Sequence, residues 1–309
     1  MPVRIRELAA LTMILAATGA LAREPGLASQ TPPGLTIGLP IAMVPPPGLY
    51  WTMRTSVNSA DLVDGKGHFF GERFTIYGIS NQLTWVPGWT LLGGKYKAFV
   101  TVPMIDIDMN HSVGAPHGPA GPLGRFSQFG IANPKVQPFD LAWSLGGGWN
   151  IEASVGFYAP ISSYKKTDKI KIGADFWTLE PGIGVTYLKD DWHLSLHAVY
   201  NTNSENASTK YRSGDQVFLN GTLTRKVFDD WSVGPVAYYQ QQITSDTNNG
   251  MAYGPKKPTF GSQKEFAVGA LVGHQFGPVN ATLFYTNDVV AEGTTKSSKV
   301  WLNFAYKLY

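Results

Sequence analysis

The chain has no cysteine. That excludes disulfides, thiolate metal sites and a cysteine nucleophile. An exported chain must then be closed by other means, and a sheet hydrogen-bonded into a cylinder does this by abolishing its edges. Charge is also scarce: 15% of the residues are Asp, Glu, Lys or Arg, against roughly a quarter in soluble domains. The net charge is +3 and the basic residues are scattered, so no basic run or basic helix points to a nucleic-acid partner. No apolar run reaches the ~18 residues of a membrane helix beyond the N-terminal segment. Gly146 to Gly148 lacks the lysine of a phosphate-binding loop and is a turn signal. No cofactor is expected.

What is abundant is punctuation and aromatic surface: 34 Gly, 21 Pro, 9 Trp, 14 Tyr and 16 Phe. This suits many strands joined by turns. The N-terminus carries Arg4 and Arg6, an apolar stretch from Leu8 to Ala17, and the small-x-small triplet Ala20-Leu21-Ala22. These are the parts of a secretory signal peptide over 1–22, with a mature chain beginning at Arg23. No cysteine follows the cleavage site, so no lipoprotein anchor is expected. An exported chain without a helical anchor is either soluble or a β-barrel. Residues 23–47 are Pro-rich and without regular period, which opposes helix and central strand. They are either a periplasmic tail or, given the apolar stretch Leu39 to Val44, a plug within a lumen.

From Pro47 onward the chain breaks into period-2 segments. Strands are expected near 48–57, 72–86, 95–108, 128–145, 149–160, 175–189, 192–203, 215–228, 231–245, 264–276, 279–290 and 297–309. In the clearest, Trp192, Leu194, Leu196, Ala198 and Tyr200 alternate with His193, Ser195, His197 and Asn201. The strand at 149 sets Ile151, Ala153, Val155 and Phe157 against Asn150, Glu152, Ser154 and Gly156, and Val300, Leu302, Phe304, Tyr306 and Leu308 share a face near the end. Every second connection is short (around Gly147, Asp190, Asp229 and Gly277), while 109–127, 161–174, 204–214 and 246–263 are long and polar. Short periplasmic turns alternating with longer outer loops are the signature of an outer-membrane barrel. The turn 87–94 is long for its side and 291–296 short. The expectation is an all-β fold, a transmembrane antiparallel β-barrel of about 12 strands over 48–309. Its aromatic girdles would include Trp51, Trp149, Trp177, Trp192, Trp231 and Tyr200. It would sit in the outer membrane of a Gram-negative bacterium.

Several segments are similar to a known family. Leu39-Pro40, Pro45-Pro46-Pro47-Gly48-Leu49-Tyr50 and Asn81-Gln82-Leu83-Thr84-Trp85-Val86 carry the likeness in the first part of the chain. Gly156 through Pro160, Phe176 through Pro181, Tyr211-Arg212-Ser213-Gly214 and Gly234 through Gln242 carry it further on. With these the chain resembles the family described as the MetA pathway of phenol degradation, outer-membrane transporters. The resemblance implies a barrel channel for hydrophobic or aromatic compounds and brings no catalytic residues. At the C-terminus Tyr309 is last, yet Tyr306 and Leu308 are in phase with the apolar row, so either a bulge shifts the register or assembly tolerates the offset.

On the inward phase, candidates for lining a solute path are Arg54, Arg73, Glu152, Glu180, His193, His197, Tyr158, Phe218 and Tyr238. Phe99, Phe176 and Phe284 share that phase and would stack on a ring-bearing solute or pack against a plug. Glu152 and Glu180, on neighbouring strands, form a possible acid–base pair; ion pairing within the lumen is the plainer reading. Asp106 and Asp108 would line the outer mouth or bind a cation. His193, Ser195 and His197 invite an esterase reading. However, alternate residues on a strand stand about 6.6 Å apart, whereas a base must reach its nucleophile at about 3 Å. His111 and His117 fall in an outer loop, with exposure favoured over metal binding. The expected function is passage of small molecules, with a lipase-like enzyme or a structural barrel as alternatives. The expected partners are outer-membrane lipid, a small solute and the barrel assembly machinery; oligomeric state is left open.

Overall fold

The computed structural model describes residues 23–111, 124–228, 230–252 and 262–309. The signal-peptide expectation over 1–22 and His117 lie outside the described residues, as does the side chain of His111.

Twelve antiparallel strands close into a barrel. They are β1 (Gly48–Val63), β2 (Phe69–Val86), β3 (Gly94–His111), β4 (Lys135–Gly146), β5 (Trp149–Tyr158), β6 (Thr178–Lys189), β7 (Trp192–Asn203), β8 (Gln216–Phe228), β9 (Trp231–Gln242), β10 (Lys264–Phe276), β11 (Val279–Glu292) and β12 (Thr295–Lys307). Each pairs with its neighbours in sequence, and the seam is β1 on β12, from Tyr50 opposite Lys307 to Leu62 opposite Thr295. In hydrocarbon each unpaired backbone group costs several kcal/mol, so this closure is obligatory.

The expected alternation holds around the wall. On β5, Glu152 and Ser154 are buried while Trp149 and Val155 are exposed; on β7, Ser195 and His197 are buried while Leu196 is exposed. The outward rows form an apolar belt in which Ile183 is 66% and Leu219 49% exposed. On a soluble protein so extensive a patch would aggregate; around a barrel it is the lipid contact. Aromatics mark both rims. At the short-turn end Trp149 lies 4.9 Å from Tyr187 and Trp85 5.1 Å from Trp89; at the other, Phe157 lies 5.7 Å from Trp177. With an apolar belt between aromatic rims on a closed barrel, the protein resides in the outer membrane.

The two irregular connections resolve simply. The long turn 87–94 extends the β2–β3 hairpin, with Thr90 opposite Lys95 and Leu91 opposite Gly94. Its tip places Leu92 and Gly93 at φ of 50° and 76°, and both central residues of such a two-residue turn need positive φ. The short outer connection is the two residues between β11 and β12, tied to β1 by Val63 N–H donating to Thr294 O. The strand expected at 128–145 is broken instead. Gly124–Ile131 pairs with the outer half of β3 and β4 with its inner half, while residues 132–134 interrupt between them. Pro134 and Pro138 have no N–H to give the ladder, and the register shifts between Val136 and Phe139. In β12 the pairings run to Lys307 without a shift, so no bulge moves Tyr306 off the outward row.

The two faces make opposite predictions for an added charge. Val155→Arg puts a guanidinium against lipid at a cost of ~2–4 kcal/mol and should abolish most of the heat-modifiable folded band on a gel. Gln82→Arg, on the inward row, should assemble normally.

Candidate functional site

The lumen is built from wall side chains and from residues 23–47, which run through it. The segment has no helix or strand; its backbone N–H groups divide between its own tight turns, such as Leu35 to Pro32 O, Ile37 to Gly34 O and Met43 to Pro40 O, and the wall. Gly34 N–H donates to Asn220 Oδ1 at 2.9 Å and Gly38 N–H to Thr222 Oγ1 at 2.9 Å, both on β8. Ile41 N–H reaches Ser195 on β7 at 3.3 Å and Ala42 N–H reaches Thr186 on β6 at 3.0 Å. Ile37, fully buried, and Leu35 pack on Val236, Tyr238, Leu271, Phe284 and Trp301 from β9 to β12. Gly184 is needed where the segment crosses β6, because a Cβ there would stand 2.8 Å from Ile41 Cγ2.

Charged wall residues, themselves ion-paired, also hold the segment. Lys97 on β3 donates to the carbonyls of Ile41 at 2.8 Å and Met43 at 3.3 Å. It also faces Asp140 at 3.5 Å and Glu152 at 3.6 Å. Glu152 lies 3.3 Å from His197 Nε2, and His197 Nδ1 lies 3.1 Å from Thr36 Oγ1. Nearer the outer end, Lys135 pairs with Glu180 at 2.5 Å. Thr31 donates to Glu180, and the Tyr158 hydroxyl lies 3.0 Å from Thr31 Oγ1. On the other side Lys299 donates to Glu265 and to the Tyr238 hydroxyl, each at 2.6 Å, and Tyr238 also donates to Asp288. At the outer mouth Arg23 donates to Gln216, and Glu24 receives Asn206 at 2.8 Å and Thr209 at 2.9 Å. There the loop residue Lys171 donates to Pro25 O at 2.7 Å; burial lowers its pKa below the ordinary lysine value, opposed by the charge of Glu24.

The segment leaves one side of the bore clear of it. A cavity of about 1900 Å³ lies between it and the inward rows of β1, β2 and β3, including Thr52, Ile76, Phe99 and Ile107. Its lining reaches Met109 and Phe126 towards the outer loops and Tyr306 and Lys307 at the short-turn end.

Of the residues expected on a solute path, Arg54, Glu152, Glu180, His193, His197, Tyr158, Phe218 and Tyr238 are on inward rows. Arg73 is not: it lies on the outward row of β2, 68% exposed, and pairs with Asp61 at 3.1 Å. Glu152 and Glu180 face inward, but each is held by its own lysine, so they form no pair. Tyr158, Phe176, Phe218, Tyr238 and Phe284 are each at most 4% exposed, whereas Phe99 stays on the cavity. Asp108 sits on the outward row with Arg125 at 2.8 Å. The Ser195 hydroxyl lies against Thr186, 3.1 Å away, and Ile41 N–H, with no imidazole bonded to it. No cluster of three or more metal-ligating side chains occurs among the described residues. Lys97, Lys135, Asp140, Glu265, Asp288 and Lys299 escaped the sequence reading. For Lys135 and Asp140 a signal existed in Pro138: the bulge brings odd- and even-numbered residues to the same face.

Removing one partner of a buried ion pair costs about 3–5 kcal/mol, because the other charge is left uncompensated. Lys97→Met should therefore lower the unfolding midpoint and speed protease cleavage within 23–47 of the folded protein, whereas Arg73→Met should change neither.

Residues 58–304 match the family described as "Putative MetA-pathway of phenol degradation". No curated protein matches the chain. Among solved structures, the COG4313 outer membrane channel of Pseudomonas putida F1 is similar at a TM-score of 0.68 and 13% identity, over 85% of this chain and 96% of that one. The transport unit of the autotransporter AIDA-I of Escherichia coli is similar at 0.50 and 11% identity, over 97% of each chain. At these identities the likeness is one of fold.

Proposed function

The chain belongs to that family, and we propose that it lets small, mainly apolar solutes cross the outer membrane through the space beside its N-terminal segment. The observation that carries this reading is the cavity along β1 to β3, whose lining reaches both ends of the barrel. Its walls suit such solutes: Ile76, Phe99, Ile105 and Ile107 alternate with thin polar cover from Thr52, Gln82 and Thr101. Residues 23–47 act as a fixed constriction, narrowing a twelve-stranded bore to one side channel. The COG4313 protein is an outer membrane channel, and the family description concerns phenol, an aromatic compound; both agree with this use. The partners are lipid outside, solute inside and the assembly machinery during insertion. An esterase role draws no support from Ser195, whose hydroxyl bonds a threonine and a backbone amide.

Vesicles with lipopolysaccharide in the outer leaflet test the proposal. With the protein present, radiolabelled benzyl alcohol should enter several-fold faster than through protein-free vesicles, and raffinose should not. Equal entry of both solutes, or no acceleration of either, would refute it. Deleting residues 24–44 should raise single-channel conductance several-fold and admit raffinose.

A further inference from the structure

Arg54, Lys97, Lys135 and Lys299 are the buried cations of the described strands. Three of them have a carboxylate within ion-pair distance. Arg54 does not. It projects from β1 into the cavity, 6% exposed. Its Nε has no hydrogen-bond partner, and no acidic side chain among the described residues acts on it. A guanidinium cannot shed its charge as a buried lysine does, and an unpaired buried charge is costly.

A second orphaned donor stands beside it. Across the β1–β12 seam Arg54 is opposite Asn303 and Ser56 is opposite Trp301, so Trp301 is one inward position further along. Trp301 is 5% exposed, stacks on Phe284 with centroids 5.7 Å apart, lines the same cavity, and its indole N–H has no acceptor. The common wall thus offers a fixed cation and a neutral donor with no anion among the described residues to receive them, beside a surface of isoleucine and phenylalanine.

We infer that Arg54 and Trp301 form an anion-binding site that selects solutes carrying a carboxylate on an apolar, ring-sized body. The carboxylate takes two parallel N–H donors from the guanidinium, the geometry that arginine favours; the indole N–H turns toward its free oxygen, and the body lies along β2 and β3 on Ile76 and Phe99. Low-polarity walls strengthen the attraction relative to water. This deepens the channel reading and rests on it.

Benzoate and benzyl alcohol, equal in ring and differing in charge, are the probes. By titration calorimetry of the full mature chain in detergent at pH 8, benzoate should bind at least tenfold more tightly. Arg54→Gln should remove that preference, bringing benzoate down to the affinity of benzyl alcohol. Arg54→Lys should keep part of it, and Trp301→Phe, which retains the ring, should weaken benzoate a few-fold. Equal affinities in the unaltered protein, or a preference that survives Arg54→Gln, would overturn the site. Should Arg54→Gln fail to give the heat-modifiable band, Arg54→Lys and Trp301→Phe decide: if both bind benzoate like the unaltered protein, the site is refuted. The channel reading fails separately, if benzyl alcohol enters vesicles no faster with the protein than without.

Discussion

Every other feature of the molecule follows from the demand that no strand end its hydrogen-bond ladder in lipid. The demand is met where β1, the first strand, pairs with β12, the last. Closure turns an ordinary two-faced sheet into an outside and an inside, and period-2 alternation then sends each side chain to oil or to the bore. It also lets the interior hold far more polarity than a soluble core would. Asp140, Glu152, Glu180, Glu265 and Asp288 all lie inside, and four of the five have a lysine in hydrogen-bond or ion-pair reach; Asp288 receives the Tyr238 hydroxyl.

The interior is divided unevenly. From β5 round to β12 the wall grips the N-terminal segment through hydroxyls, amides and one hydrophobic cluster. From β1 to β3 it faces the cavity. The difference is chemical. The gripping strands present Ser, Thr and Asn at the level of the amides that the segment's own turns leave over, those of Gly34, Gly38, Ile41 and Ala42. The remaining strands present Ile, Phe and Met among shorter polar groups, and Lys97 on β3 is the side chain there that reaches the segment's backbone.

Strands with one apolar and one polar row were readable from the sequence, as β5 and β7 show. Arg73 was misplaced because the outer half of β2 carries large apolar residues on both rows: Phe70, Phe74 and Ile76 point in, Tyr77 and Ile79 out. A strand between lipid and an apolar cavity carries no contrast from which to read its phase. Lys135 and Asp140 were hidden by a bulge that changes phase within one strand. The wall contacts of residues 23–47 left no sequence trace at all, since single bonds from backbone N–H to scattered hydroxyls create no period. Glu152, Glu180, His197 and Tyr158 could be assigned to a face, but their partners could not, because partnership depends on the stagger between strands distant in sequence.

The way the segment is fastened also has a mechanical meaning. The N–H groups of Gly34, Gly38, Ile41 and Ala42 each make one bond to a different place on the wall, and a bond of this kind is worth about 0.5–1.5 kcal/mol net, since water replaces it. Lys97 is the exception, since it takes the carbonyls of both Ile41 and Met43 while paired with Asp140 and Glu152. Tension applied at Pro47 therefore loads that anchor first, and only once it yields do the single tethers beyond it peel away step by step.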